Sequence, residues 1–231
     1  MDPELDIRGA GGYHPLLESS EKEMFVSTPK QAERLQRILE TALVEFSRAG
    51  FAEGSLDRIA RESGVAKTTI YRHFTNKEGL FQAVFQVALD RLSRVIRVPP
   101  GRRGFEERLR HGLRNLLREV ERDPAIFLVF RTIGPNSSVP DPDLNRELMD
   151  AYMARGEWVI QELRTAQSQG LVRRDLDPER FYMVLLAMVH SQVYLRIRRG
   201  KGFTLGKSAE LIGDILFQGI GPAGPRARAG R

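Results

Sequence analysis

The residues from Ser63 to Lys77 combine small hydroxyl, aromatic and basic side chains, and none of them is acidic. A short helix from about Lys67 to Phe74 is expected to bury Ile70 and Phe74, which lie four positions apart and therefore share one face. The opposite face then carries Lys67, Thr68, Thr69, Arg72 and His73, with Tyr71 at its edge. Hydroxyl groups near a helix start, an arginine further on and no carboxylate suit contact with base edges and phosphates in the DNA major groove.

The preceding segment supplies the remainder of a helix-turn-helix over residues 55–74. Ser55 can cap a short helix that runs through Ser63. Gly64 permits the positive φ of a sharp turn, and Val65 fills the angle between the helices. The alternative is an ordinary helix-turn-helix corner inside a helical protein. The coincidence of turn, apolar positions and acid-free face favours DNA binding.

The apolar residues between the two ends of the chain recur at spacings of three and four, and no useful length of sequence alternates with period two. We therefore predict an all-α fold, with an N-terminal three-helix DNA-binding head at residues 30–77. A larger C-terminal helical bundle at residues 78–220 is predicted to bind a ligand and to dimerise. Beyond the helix that starts near Lys77, helices are expected at about 104–121, 124–133, 143–169, 178–198 and 205–219.

The composition of the 231-residue chain limits the classes of protein it can be. It has no cysteine and a formal net charge of +6, which excludes disulfides and thiolate metal sites and suits a polyanionic partner. An arginine-rich proteome explains the charge equally well. No apolar run approaches the roughly 18 residues of a membrane span, and no secretory signal is evident, so we expect a cytoplasmic protein without membrane contact.

The two ends of the chain differ in composition from the rest. Residues 1–29 contain six acidic residues against Arg8 and Lys22, together with several glycines and prolines. Residues 221–231 are basic and rich in glycine and proline. Neither stretch can bury apolar surface, so we expect a disordered leader and a basic disordered tail.

Residues 32–92 closely resemble the N-terminal domain of TetR-type transcriptional regulators. The residues that carry the resemblance are Phe46, Gly50, Phe51, Ser55, Ile59, Ala60, Gly64, Val65, Tyr71, Phe74, Lys77 and Leu80. The resemblance implies a homodimer, a pseudo-palindromic operator, usually repression, and release by a small ligand. Two positions depart from the family pattern: Ala66 stands where a capping hydroxyl residue is common, and Ser63 where alanine is usual.

The same resemblance implies roles for individual residues of the head. It implies base-edge or groove contacts for Thr68, Thr69, Tyr71 and His73. It implies phosphate contacts for Ser55, Lys67, Arg72 and Lys77. Lys77 also stands at the start of the next helix, where backbone N–H groups favour an anion.

The apolar stretch at residues 181–189 is hydrophobic on every face of its predicted helix, which indicates burial on all sides. One face would pack on the body and another on a second subunit, together with the last helix, although a central core helix of a monomer is the alternative. The candidate dimer contacts are Leu186, Val189, Val193, Ile212, Ile215 and Leu216.

A small-molecule site is predicted inside the body, with a largely apolar effector as its occupant. The candidate lining is an aromatic group beside one arginine: Phe127, Tyr152, Arg155 and Trp158. Aromatic residues at helical spacing are also typical of plain core. His111 and His190 are more typical of hydrogen-bonded helix residues than of metal ligands, and no cofactor is expected.

The sequence has none of the common catalytic motifs, and we expect a regulator rather than an enzyme. Gly219 to Gly224 formally fits a dinucleotide-binding motif, but no strand precedes it and no helix follows it. A helical-bundle enzyme remains a rival interpretation, as does a DNA-architectural protein that responds to no ligand. An enzyme would not need the acid-free helix at residues 67–77.

Overall fold

The computed structural model describes residues 29–97, 104–134, 137–200 and 203–220, with the side chains of residues 218–220 left aside. All regular structure in these ranges is helical, so the predicted all-α fold is confirmed. Disorder was predicted for residues 1–29 and 221–231; Pro29 instead begins α1, and the other residues lie outside the described ones. The elements are α1 Pro29–Glu53, α2 Leu56–Ser63, α3 Lys67–His73, α4 Lys77–Ile96, α5 Phe105–Arg122, α6 Ala125–Leu128, a 3₁₀ turn Val129–Thr132, α7 Pro142–Ala154, α8 Glu157–Ser168, α9 Pro178–Arg199 and α10 Leu205–Ile220.

Helices α1 to α3 form the head, and local chemistry sets their ends. Helix α1 loses its helical backbone at Gly50, where φ is 76°. Helix α2 is capped by the Ser55 hydroxyl, which accepts a hydrogen bond from the Arg58 N–H at 3.3 Å. It ends at Gly64, whose φ of 68° is in the left-handed region that the turn prediction requires.

Helix α4 joins the head to the body. The Asn76 side chain caps its start by accepting a hydrogen bond from the Gly79 N–H at 2.8 Å. Its buried face carries Leu80 and Phe81 towards the head and Ala88, Leu89 and Leu92 further along. The helix therefore contributes to both parts of one continuous hydrophobic core.

The body packs its helices around α4 and α5. Helix α5 contacts α10 and α4, and α9 contacts α8 and α10. Ion pairs border the α5–α10 contact, where Arg110 reaches Asp214 at 2.9 Å and Arg114 reaches Glu210 at 2.6 Å. Among the residues that the structure describes, no helix is long and apolar enough to cross a membrane.

Two helices of the body are interrupted where the sequence predicted continuity. The single helix expected at about 143–169 is two, α7 and α8, separated at Arg155 and Gly156. A Cβ atom on Gly156 would lie 2.2 Å from the ring of Tyr182, so the backbone at the break packs directly against that ring. The helix expected at about 124–133 is α6 followed by the tighter 3₁₀ turn.

Substituting Gly156 by alanine should destabilise the protein, because the added methyl group must displace the buried ring of Tyr182. We expect Gly156→Ala to lower the free energy of unfolding by about 1–3 kcal/mol, the usual range for overpacking. Chemical denaturation followed by circular dichroism measures this change.

The matched control is Gly206→Ala in the first turn of α10, where no atom lies within 4 Å of an added Cβ. Alanine has the higher helix propensity, so this variant should be as stable as wild type or up to about 1 kcal/mol more stable. Equal unfolding free energies for the two variants would contradict the proposed contact of Gly156 with Tyr182.

Candidate DNA-binding face

Helix α3 is fixed on the head by a small number of apolar contacts. Ile70 is 1% exposed and belongs to the core, while Val65 and Phe74 are partly buried against it. The Ala66 side chain makes no capping bond at the helix start, as the departure from the family pattern implied. The backbone compensates in part, because the Thr69 N–H donates to the Ala66 carbonyl at 2.8 Å.

The opposite face of α3 is open to solvent. Thr68, Arg72 and His73 are exposed, and Lys67 and Thr69 are half-buried. Tyr71 is 47% exposed, so much of its ring faces solvent instead of the core of the head. The face therefore offers hydroxyl, cationic and aromatic groups on one seven-residue helix.

Lys67 has a partner that the sequence reasoning missed. Its ammonium group lies 3.0 Å from the carboxylate of Asp57, which lies on α2. This hydrogen bond raises the pKa of Lys67. The stretch without acidic residues begins only at Ser63, so it did not reveal a carboxylate that the turn brings back to the start of α3.

His73, a candidate for contact with the DNA groove, is neutral rather than cationic at neutral pH. Partial burial lowers the pKa of His73, and the neighbouring charges of Arg72 and Arg34 lower it further. A neutral imidazole has one donor and one acceptor nitrogen, so His73 can both give and accept a hydrogen bond.

Lys77 is held inside the head. Its ammonium group donates to the Ala52 carbonyl at 2.9 Å and lies 4.8 Å from the centre of the Phe51 ring. Partial burial lowers the pKa of Lys77. The side chain thus ties the start of α4 to the end of α1, and only its remaining N–H groups are available to a phosphate.

A buried carboxylate organises the turn between α1 and α2. Glu45 is 2% exposed and accepts hydrogen bonds from the Ser55 N–H at 3.0 Å and from the guanidinium groups of Arg48 and Arg58 at 2.9 and 3.3 Å. Sequence reasoning did not single out Glu45, because an acidic residue is usually exposed. The available signal is its spacing, seven positions after Ile38 and three after Ala42, which places it on the buried face of α1.

The body contains a cavity of about 70 Å³ that brings together three of the four predicted ligand contacts. Phe127, Tyr152 and Arg155 line it, and the remaining lining is mostly aliphatic. Trp158 lies instead on an adjoining cavity of about 250 Å³, which also includes Arg155. Beside Phe127, His190 is joined to the Tyr152 hydroxyl at 2.7 Å, in line with the prediction of a hydrogen-bonded helix histidine.

The six predicted dimer residues divide between the core and the surface. Val189, Val193, Ile212 and Leu216 are buried in the chain's own core. Leu186 is partly buried and lines the cavity, and Ile215 is 53% exposed. The stretch at residues 181–189 is not buried on all sides within the chain, because Met183 and Val184 are exposed.

The fold and this face define a helix-turn-helix DNA-binding protein with a helical body. Residues 38–84 match the family model described as bacterial regulatory proteins of the tetR family. Over 184 residues the chain is 26% identical to the HTH-type transcriptional regulator UidR of Escherichia coli, an alignment that covers 78% of this chain and 91% of UidR.

Two further comparisons agree with this match. Over 133 residues the chain is 29% identical to the HTH-type transcriptional repressor KstR of Rhodococcus jostii, covering 56% of this chain and 62% of KstR. A regulator structure from Saccharomonospora viridis, solved in complex with choline, has the same fold, with a TM-score of 0.63 and 24% identity over 83% of this chain and 99% of that chain.

Residues 38–84 thus match the DNA-binding domain of the tetR family, which confirms the resemblance stated for this part of the sequence. The protein is a DNA-binding regulator of transcription, and proteins of this family are regulators rather than enzymes.

Removing the Glu45 carboxylate should destabilise the head, because two arginines and a backbone N–H would lose their shared acceptor. We expect Glu45→Ala to lower the free energy of unfolding by about 2–3 kcal/mol, within the range for breaking a buried, hydrogen-bonded pair. Amide hydrogen exchange should quicken first at the start of α2.

Arg48→Ala is the control, since Arg48 is 59% exposed and surface ion pairs contribute at most about 1 kcal/mol. If Glu45→Ala were no less stable than Arg48→Ala, Glu45 would not organise the turn.

Proposed function

We propose that this protein is a homodimeric repressor that binds a pseudo-palindromic operator through α3 and releases it when a small, largely apolar molecule enters the body. In this proposal residues 30–77 are the DNA-binding domain, and residues 78–220 bind the ligand and form the dimer. The observation that carries it is the exposed face of α3, which presents Tyr71 among hydroxyl and basic side chains.

The side chains of this face divide by reach and chemistry. Thr68, Thr69, Tyr71 and His73 are proposed to contact base edges or the groove. Lys67 and Arg72 are proposed to contact phosphates, with help from Ser55 and Lys77. The Ser55 oxygen caps α2, but its hydroxyl hydrogen is still available to a phosphate oxygen.

Lys67 would exchange its partner when DNA binds. Its bond to Asp57 is exposed, and such pairs add little stability in water. A phosphate oxygen can therefore replace the carboxylate at small cost. The pairing with Asp57 also keeps Lys67 near the start of α3 before DNA arrives.

A second copy of the chain is proposed to cover the outer face of α9 and α10. Among the described residues, six large exposed apolar side chains lie on these two helices: Met183, Val184, Tyr194, Ile197, Leu211 and Ile215. Several exposed apolar side chains on two helices in contact are typical of an association site. A pair of copies related by twofold symmetry would present two α3 helices, as a pseudo-palindrome requires.

Repression and ligand release rest on two further observations. KstR, to which part of this chain is similar, is named a repressor, and the Saccharomonospora viridis structure holds choline. The cavity beside Phe127 and Tyr152 offers a largely apolar site next to α4. Two α3 helices can enter successive major grooves only at a separation of about 34–36 Å, so a ligand that tilts α4 would change operator affinity.

The DNA-binding role of α3 can be tested with a duplex that the protein selects from a random-sequence library. Thr69→Ala and Tyr71→Ala should each change the selected sequence, with about 1–3 kcal/mol of discrimination lost at the contacted base pairs. Lys67→Ala should weaken binding to all duplexes alike. It should also reduce the slope of log affinity against log salt by about one unit.

Arg174→Ala removes an exposed arginine of the body and is the matched control, with no expected effect on binding or salt slope. Unchanged selection by a folded Lys67/Tyr71 double alanine variant would rule out α3 as the reading helix.

The proposed dimer face can be tested by adding a charge to it. Val184 is 55% exposed in one chain, so Val184→Asp should leave each subunit folded and split the dimer. Light scattering should report two subunits for the wild type at micromolar concentration and one for the variant. Leu171→Asp, at an exposed apolar residue outside α9 and α10, should remain dimeric. A wild-type mass of one subunit would contradict the proposal.

A further inference from the structure

Among the described residues, the wall of the cavity beside α4 has one charged member. Apart from Arg155, its lining is made of aliphatic and aromatic residues and one serine: Leu89, Leu92, Ser93, Ile96, Leu113, Leu116, Phe127, Tyr152, Val159, Tyr182, Leu185, Leu186 and Val189. A ligand in this space would bury its body against hydrocarbon. Only a few groups of the wall could recognise anything polar.

Most of those polar groups already have partners. The Ser93 hydroxyl donates to the Leu89 carbonyl at 2.7 Å, and the Tyr152 hydroxyl lies 2.7 Å from the His190 Nε2. Burial lowers the pKa of His190, so this histidine is neutral at neutral pH and supplies no charge. Burial also raises the pKa of Tyr182 to about 12, so that phenol is neutral as well.

Arg155 differs, because its guanidinium group has donors to spare. Within the described ranges it makes one hydrogen bond, from Nη2 to the Asp90 Oδ1 at 2.9 Å. A guanidinium carries five N–H donors and never loses its charge in proteins. The same Asp90 oxygen also accepts from the Gln86 amide at 2.9 Å, so the carboxylate is the more fully satisfied partner.

The position of Arg155 suits a ligand with a charged end. It lies at the break between α7 and α8 and lines both the apolar cavity and the adjoining one. Arg97 also lines the second cavity, and Glu157 contributes a carboxylate to the same wall. The two cavities thus share one cationic side chain, Arg155, at the end of the apolar space.

We propose that the effector is an amphipathic acid, whose apolar body fills the cavity and whose carboxylate binds Arg155 in place of Asp90. This inference rests on the proposed ligand-controlled function and names its ligand class. A carboxylate can take two parallel N–H bonds from a guanidinium, which favours it over a neutral hydroxyl group. A cationic head group would meet Arg155 as a like charge.

The exchange of partners gives the ligand a direct effect on α4. Asp90 belongs to α4, and Arg155 belongs to the α7–α8 junction, so their bond ties the connecting helix to the far wall of the cavity. When the ligand carboxylate takes Arg155, this tie is lost. The part of α4 around Asp90 is then free to shift relative to the α7–α8 junction.

The experiment compares three molecules with the same alkyl chain: octanoate, octanol and octyltrimethylammonium. Binding to the full-length protein is followed by Trp158 fluorescence and calorimetry at neutral pH and constant ionic strength. Octanoate should bind about tenfold or more tightly than octanol, because a charged hydrogen-bonded pair replaces a neutral one. Octyltrimethylammonium should bind most weakly.

Three variants localise the head group. Arg155→Gln should remove the preference for octanoate and change octanol affinity by less than about twofold. Arg94→Gln removes the same charge from α4 outside both cavities, and it should keep the preference. Asp90→Asn should strengthen octanoate binding, because the competing carboxylate is gone.

Equal affinities of octanoate and octanol, a preference that survives Arg155→Gln, or tighter binding of octyltrimethylammonium would each overturn the proposal. Failure of octanoate to bind at all would overturn it too. Affinity for the selected duplex is measured in parallel without ligand. If the protein binds the duplex but does not prefer octanoate, this inference alone is contradicted. If it does not bind the duplex, the proposed function is contradicted.

Discussion

The rest of the structure depends on the packing of Phe81, the residue of α4 at which the head core and the body core meet. Its ring lies edge-on to both Phe46 and Phe51, with centroid distances of 5.2 Å in each case. One turn further along α4, the ring of Phe85 packs against that of Phe130 in the 3₁₀ turn of the body, with 4.9 Å between the ring centroids. Since interiors are close-packed and resist small displacements, the head cannot tilt without repacking these rings. The Ser138 hydroxyl adds a polar link by accepting from the Phe51 N–H at 3.1 Å.

The same aromatic contacts continue to the cavity. Phe130 stacks on Tyr152 at 4.7 Å, and Tyr152 is both a wall of the cavity and the hydrogen-bond partner of His190. Contiguous side chains therefore connect the cavity with the core of the head. Spatial continuity alone does not establish coupling, which requires two packed arrangements that a ligand binds with different affinity. The bond between Arg155 and Asp90 supplies one group whose partner can differ between two such arrangements.

Much of the head could be predicted from the sequence, because its signals are local. The turn at Gly64, the burial of Ile70 and the exposure of the opposite face of α3 all follow from spacings of a few residues. The partners of Lys67 and Glu45 could not be predicted, since they depend on how α1, α2 and α3 fold back on one another. In the body, the sequence predicted one long helix across Gly156, and the approach of Tyr182 from α9 to this glycine depends on tertiary packing. From an apolar stretch such as residues 181–189, the sequence also does not predict which helix face packs on the chain's own core and which is exposed.

The separation of contacts along α4 determines what a ligand can achieve. Near the head, Gln82 bonds Glu147 of α7 at 2.9 Å, and further along Asp90 bonds Arg155 at 2.9 Å, so two polar ties connect α4 with the α7 region. Only the second borders the apolar cavity. A ligand that replaces Asp90 removes this tie and leaves the first intact, which favours rotation of α4 about its head-proximal end over a rigid shift of the helix.

A ligand changes the equilibrium between two arrangements of α4 only by its difference in affinity for them, and moving a population from 1:99 to 99:1 takes a preference of about 10⁴-fold. One exchanged ion pair at a half-exposed arginine falls short of that, so the apolar body of the ligand must also bind the two packings of Tyr152 and its neighbours unequally.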